Sequence, residues 1–339
     1  MILSNLWKKG TEFLGSKYAI MGGAMSWVSD PYLVSAISNA GGFGVLACGA
    51  ISPENLKSDI ELTQRFTSYP FGVNLIIMHP QLNELIKICI NNKITHIVLA
   101  GGIPNSILIN QVKSAKIKIM CFAPSISVAK RLIRLGVDAL IIEGMEAGGH
   151  IGPVSTSVLS QEILPYFKNN INTSPPIFVA GGIGIGDMIV HYLKMGASGC
   201  QIGTPFVCTY ESRAHQNFKE VFIKSSSRDA IASIQLSRDF PVIPVRAISN
   251  AASVRFLELQ KEIINLYNQK KISKEDGQLQ IEKFWAGALK KAVIDGDIIN
   301  GSLMAGQSVG LIKKIQSTQQ VINNFVNEAR SYIQCNELT

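Results

Sequence analysis

Eight short apolar runs, separated by stretches that carry helix-start signals, govern what this 339-residue chain can fold into. They are Tyr18 to Ala24, Gly42 to Cys48, Phe71 to Ile77, His96 to Ala100, Lys118 to Ala123, Ala139 to Glu143, Ile177 to Ala180 and Gly199 to Phe206. Runs this short, bounded by turn residues, fit strands. Between them Asp30-Pro31, Ser52-Pro53 with Glu54, Ser127 before VAKRLIRLG, and Gly186-Asp187 before MIVHYLKMG read as helix starts. Strands that alternate with helices pair in parallel, because each helix carries the chain back across the sheet. Eight such units predict an α/β fold, a closed (β/α)8 TIM barrel in preference to an open doubly wound sheet.

Composition agrees with many strands buried on both faces. Charged residues make up 17% of the chain, below the roughly 25% of an average soluble protein, and the mean hydropathy is positive. A chain of this length builds its core without disulfide staples. No apolar run approaches the ~18 residues of a membrane span. Lys8, Lys9 and Lys17 ahead of the Ile20 stretch weakly mimic a signal peptide, but that stretch is broken by Gly22 and Gly23 and fits the first strand better. The six cysteines show no metal-ligand spacing. Cys48, Cys121, Cys200 and Cys208 sit in or beside strand-like runs as small buried hydrophobes, and a reducing cytoplasm is the expected location. The net charge of +8 is spread along the chain without a basic run interleaved with aromatics, so no nucleic-acid partner is expected.

In a barrel of parallel strands the chemistry gathers where strands end and the next loops begin. Gly22-Gly23, Asn74, Gly101-Gly102, Gly181-Gly182 and Gly203-Thr204 all fall at such ends, and so does the segment EGMEAGGHIG at positions 143 to 152. This last segment leaves a buried strand, crosses Gly148-Gly149 and delivers His150, an imidazole able to exchange a proton near neutral pH. Singly, each glycine pair reads as a turn and the histidine as a loop residue. Their repetition on one rim points to a site. AGGIGIGD after one strand and QIGTPF after the next resemble the phosphate cradle of barrel enzymes, with backbone N–H groups directed at a dianion. The partial dinucleotide fingerprint in GIGIGD lacks its acidic residue after a second strand, which favours a phosphate.

After Glu211 the alternation stops. Residues 213–299 include an amphipathic stretch from about Ala251 to Lys271 and hold 14 Lys and Arg against 10 Asp and Glu, half of the net charge. The expected organisation is a barrel over 1–212, a smaller, mainly helical cap inserted after the eighth strand over 213–299, and a C-terminal segment over 300–339 that returns to the barrel. The small residues of GSLMAGQSVGLI in that last segment suit close packing near a ligand.

EGMEAGGHIG, PIFVAGGIGIGDMI, GASGCQIGTPFVCTYES, PVRAISN and GSLMAGQSVGLI, with GGAMSWVSD near the start, resemble the FMN-dependent nitronate monooxygenase superfamily. Within it the chain is most similar to the FabK-type enoyl-acyl carrier protein reductases. The resemblance implies FMN bordered by Gly22, Gly23, Ala24, Asn74, Gly148 and Gly149, with its phosphate held by Gly181, Gly182, Gln201, Gly203 and Thr204. It implies His150 as the catalytic residue, no metal, and NADH or NADPH as co-substrate. The implied acceptor is a trans-2-enoyl thioester, small or carried on acyl carrier protein, in fatty acid synthesis. A nitronate oxidised with O2 and a quinone are the alternatives, a flavin binder without turnover is the remaining one, and a homodimer is left open. SRDFPVIPVRAISN is only loosely like the family segment. The related inosine monophosphate dehydrogenases need a cysteine nucleophile, and GGHIGPVSTS has none.

Overall fold

The computed structural model describes residues 2–49, 51–169 and 174–337. Two helices, α1 (Ile2–Leu6) and α2 (Lys8–Leu14), precede the first strand. Eight strands then form one parallel sheet: β1 (Ile20–Gly22), β2 (Val45–Ala47), β3 (Gly72–Ile76), β4 (His96–Ala100), β5 (Lys118–Phe122), β6 (Ala139–Glu143), β8 (Ile177–Ala180) and β9 (Gly199–Ile202). The two-residue β7 (Gly149–His150) lies outside it. The spatial order is β1-β9-β8-β6-β5-β4-β3-β2. Phe43, just ahead of β2, bridges Met21, with the Phe43 N–H on the Ile20 carbonyl at 2.9 Å and the Gly22 N–H on the Phe43 carbonyl at 2.8 Å. These bonds close the ring into a TIM barrel.

The surrounding helices are α3 (Pro31–Asn39), α4 (Pro53–Phe66), α5 (Leu82–Asn91), α6 (Ser106–Ser114), α7 (Ile126–Arg134), α8 (Thr156–Lys168) and α9 (Gly186–Met195), with a single turn α10 (Thr204–Val207) after β9. Asp30 caps α3 by accepting from the N–H groups of Tyr32 at 3.1 Å and Leu33 at 3.0 Å, and Ser52 caps α4. At α7 the cap is Ser125, not the expected Ser127: its side chain accepts from the Val128 N–H, and Ser127 sits inside the first turn. The eighth apolar run is likewise shorter than expected. Its strand stops at Ile202, and Pro205 fits the first turn of α10, where its missing N–H costs nothing.

Strand residues such as Ile97, Leu99, Leu140, Ile142 and Phe178 are fully buried, as parallel strands covered by helices must be. The N-terminal end of the barrel is plugged by α2. There Phe13 lies edge-on to His96, the first residue of β4, and the Phe13 carbonyl accepts from His96 Nε2 at 2.9 Å and from Lys118.

Beyond β9 come α11 (Gln216–Lys224), β10 (Ala230–Ala232), β11 (Val245–Ile248), α12 (Ala251–Asn268), α13 (Lys274–Val293), β12 (Leu303–Met304) and α14 (Thr318–Glu337), the last packed on α9 and α3. Phe240, Val242, Val245, Phe256, Ile263, Ile281 and Trp285 make a second core of their own. The amphipathic stretch expected from Ala251 is α12. The expected helices are joined by a small antiparallel sheet, β10-β11-β12, to which β7 adds by pairing with β11. This sheet draws strands from both sides of positions 213 and 299, and Phe218 and Phe222 of α11 are buried in the barrel's core.

Candidate active site

Most of the residues expected at the site lie toward the C-terminal ends of the barrel strands or in the loops that follow; Asn74 and Gln201 lie within β3 and β9, and Gly149 and His150 form β7. Gly22 ends β1. Gly23 donates its N–H to the Ile202 carbonyl at 2.8 Å, and a side chain there would touch Gly203. Ser29 ties this loop down, accepting from the Met25 N–H and donating to the Gly23 carbonyl at 2.7 Å, with Ala24 between them partly exposed. Asn74, buried in β3, donates its amide to the Val98 carbonyl at 3.1 Å. Gln201, buried in β9, makes no side-chain hydrogen bond among the described residues.

Gly181 and Gly182 follow β8 with φ of +97° and +71°, a left-handed conformation that a side chain would strain. Among the described residues the N–H groups of Gly182, Ile183, Gly203 and Thr204 find no acceptor in the chain. Donors clustered at two adjacent strand ends fit an anion such as a phosphate. The other glycines of GIGIGD serve packing: Gly184 lies against Leu311 and Gly186 against α14. This accounts for the partial dinucleotide fingerprint without a dinucleotide.

The loop after β6 is the most tightly held part of the rim. Glu146 accepts from the N–H and the hydroxyl of Thr156, both at 2.8 Å, and its carbonyl accepts from the Gln307 N–H at 2.9 Å. The Gly306 N–H donates to the Thr204 hydroxyl at 3.0 Å. GSLMAGQSVGLI thus reaches both the Glu146 loop and the phosphate-type rim. Arg246 of β11, almost wholly buried, donates to the Met145 carbonyl at 2.8 Å and the Ala230 carbonyl at 2.5 Å, so the cap sheet grips the same loop. Burial lowers the pKa of that guanidinium. Glu143, which ends β6, is recessed without being sealed, and desolvation pushes its carboxyl up to about 8.

His150 stands apart from the other expected residues. As part of β7 it pairs with Val245 of the cap sheet, and the next N–H, of Ile151, donates to the Pro244 carbonyl at 2.9 Å. Its Nε2 lies 3.1 Å from Oε1 of Glu282 on α13. The imidazole therefore sits where cap meets barrel. Sequence reasoning missed Glu282, Arg246 and Thr156. Arg246 stood in PVRAISN without a role, and nothing in the charge-rich α13 sets Glu282 apart.

The sequence profile of the family Nitronate monooxygenase matches residues 8–328 of this chain. The chain belongs to the nitronate monooxygenase family. It is a flavin-dependent oxidoreductase, like the members of that family. FabK of Thermotoga maritima is 32% identical, with a TM-score of 0.83 over 96% of this chain and 97% of its own. A (3aS,4S,5R,7aS)-5-hydroxy-7a-methyl-1-oxo-octahydro-1H-indene-4-carboxyl-CoA dehydrogenase of Rhodococcus jostii is 27% identical over 94% of both chains. A "Probable nitronate monooxygenase" of Staphylococcus saprophyticus is also 27% identical, over 84% of this chain and 92% of its own. Among the described residues of this family member, no helix is long and apolar enough to cross a membrane.

Proposed function

We propose that this chain is an FMN-dependent enoyl-acyl carrier protein reductase that uses NADH or NADPH to saturate trans-2-enoyl thioesters in fatty acid synthesis. The observation that carries the reading is the likeness to FabK at 32% identity over 96% of the chain. Coverage of that extent includes the cap, which shapes the substrate side. The thioester in the name of the Rhodococcus relative points the same way.

In this reading the N–H groups of Gly182, Ile183, Gly203 and Thr204 hold the FMN phosphate, with Gly181 and the Gln201 amide beside them. Gly22, Gly23, Ala24, Asn74, Gly148 and Gly149 border the ring. FMN held there would supply the hydride for the β-carbon of the enoyl group. His150 hydrogen-bonds the thioester carbonyl or donates the proton, stabilising the enolate-like transition state.

A second reading is supported by the family profile and the Staphylococcus relative. In it the acceptor is an alkyl nitronate oxidised with O2, and His150 acts as base or anion stabiliser without a nicotinamide. Purified flavin-loaded protein separates the two. NAD(P)H consumption dependent on an enoyl thioester supports the reductase, whereas turnover of a nitronate with O2 and none with the thioester overturns it. Consumption that needs only a quinone would assign a quinone reductase instead.

A further inference from the structure

His150 has one side-chain partner among the described residues, and that partner comes from the cap: Glu282, midway along α13, with Nε2 and Oε1 3.1 Å apart. Both ends of the contact are held. The β7–β11 pairing and the Ile151 bond fix the histidine backbone. Beside Glu282, Ile281 is buried in the cap core, as is Trp285 further along, and Gln278, one turn earlier on the same face, donates its amide to the Pro241 carbonyl at 3.1 Å. The helix thus presents the carboxylate to the segment that leads into β11, and through β11 to the histidine. Both side chains are 42% exposed, and at that exposure an ion pair adds little to stability. Any value of the contact therefore lies in where it puts the ring.

We propose that Glu282 is a positioning residue for His150. An ionised carboxylate only accepts, so the neutral ring carries its proton on Nε2 and leaves Nδ1 as the free nitrogen. When the ring takes a second proton, Nδ1–H becomes the donor. The inference rests on the reading of His150 as proton donor in thioester reduction. Hydride addition at the β-carbon moves the double-bond electrons into an enolate. The Nδ1–H bond then breaks, its proton forms a C–H bond at the α-carbon, and its electron pair stays on the ring. The product ring is the Nε2–H tautomer that Glu282 already holds. Solvent returns the proton, since the pair is open on one side. Glu146 accepts from Thr156, Arg246 donates to two carbonyls, and Lys283 lines a cavity at the α12–α13 tip.

The test compares Glu282→Gln, Glu282→Asp and His150→Ala as flavin-loaded proteins. Glu282→Gln should lower kcat with the enoyl thioester by roughly tenfold, the scale seen when a residue that orients a functional histidine is lost. Flavin content, melting temperature and the rate of flavin reduction by NAD(P)H should stay as they are, and Glu282→Asp should recover part of kcat. Imidazole ¹⁵N shifts, assigned by difference against His150→Ala, should report the Nε2–H tautomer in the unaltered protein and a mixture in Glu282→Gln. If His150→Ala is impaired but Glu282→Gln keeps both its kcat and the Nε2–H tautomer, the inference fails and the reading of His150 stands. A higher kcat in Glu282→Gln would mean that the contact withholds the ring, which also overturns it. An unchanged kcat in His150→Ala sinks the reading of His150 and the inference with it.

Discussion

Gly148 lies against the backbone of Gly306 so closely that a Cβ built on Gly148 would come within 2.6 Å of the Gly306 nitrogen. This contact is where the loop after β6 meets the C-terminal segment. Gly148→Ala must push the two apart, at a cost of about 1–3 kcal/mol for an overpacked site. The expected outcome is a lower melting temperature together with reduced flavin content after purification. Full flavin content at an unchanged melting temperature would mean that the contact relaxes freely.

Thr204 joins the same segment to the phosphate-type rim through the 3.0 Å bond from the Gly306 N–H, and two substitutions separate its roles. Thr204→Val removes the acceptor but keeps the shape, so it should cost about 1–3 kcal/mol of stability through the unpaired amide while flavin still binds. Thr204→Glu places a carboxylate where the phosphate is expected and should abolish retention of the yellow cofactor. A Thr204→Glu protein that purifies fully loaded would remove the phosphate from this rim.

The sequence announced the barrel because each strand lies in one short, mainly apolar stretch, so its place could be read without knowing its neighbours. The candidate site was partly legible in the same way: Gly22 and Gly181 lie at the ends of β1 and β8, and Thr204 lies just past β9. The cap sheet was not, since its strands are two to four residues long and come from three separated parts of the chain. Nothing local marks Gly149–His150 as a strand; it becomes one only because Val245 and Arg246 arrive beside it. Glu282 shows the same limit. Its partner is 132 positions away, and α13 offers several carboxylates of equal standing.

His96 sets an acid limit on stability. Its ring is buried against Phe13 and Phe43, Nδ1 lies 2.8 Å from the Thr95 hydroxyl, and desolvation lowers its pKa from 6.5 to about 4. With the folded value below the unfolded one, the unfolded chain binds more protons between these two values. The contribution of the neutral ring is therefore complete above about pH 6.5 and is lost as pH falls toward 4, on the order of 3 kcal/mol in total. Denaturant midpoints measured across this window should fall steeply in the unaltered protein and less steeply in His96→Gln. Parallel curves would rule out His96 as the source.

Glu143 sets the opposite limit. Its carboxyl is raised from 4.5 to about 8, so between these values the folded chain holds this proton where the unfolded one has released it, and stability is lost as pH rises across that window. Glu143→Gln mimics the protonated form. It should melt like the unaltered protein at about pH 4.5, and increasingly above it as pH rises to about 8. Equal melting temperatures at both pH values would show that the carboxyl ionises without penalty.

The cap offers a test of the acyl carrier protein as substrate carrier. Lys270, Lys271 and Lys283 line a cavity of about 840 Å³ at the α12–α13 tip, and among the described residues none of the three forms an ion pair. An acidic carrier docking there would be drawn by exposed charges, which salt screens over about 10 Å at 0.1 M. The expected result is that kcat/KM with an enoyl-acyl carrier protein falls as ionic strength rises, more steeply than with a short enoyl-coenzyme A, which lacks the extended protein contact. Coenzyme A is itself anionic, so the comparison is between slopes, each corrected for the effect of salt on flavin reduction by NAD(P)H. Replacing Lys270 and Lys271 by Glu should flatten the carrier-protein slope and leave the coenzyme A slope as it was. Equal slopes in the unaltered protein would argue against docking on the cap, and absence of activity with either thioester would move the assignment to a nitronate or a quinone.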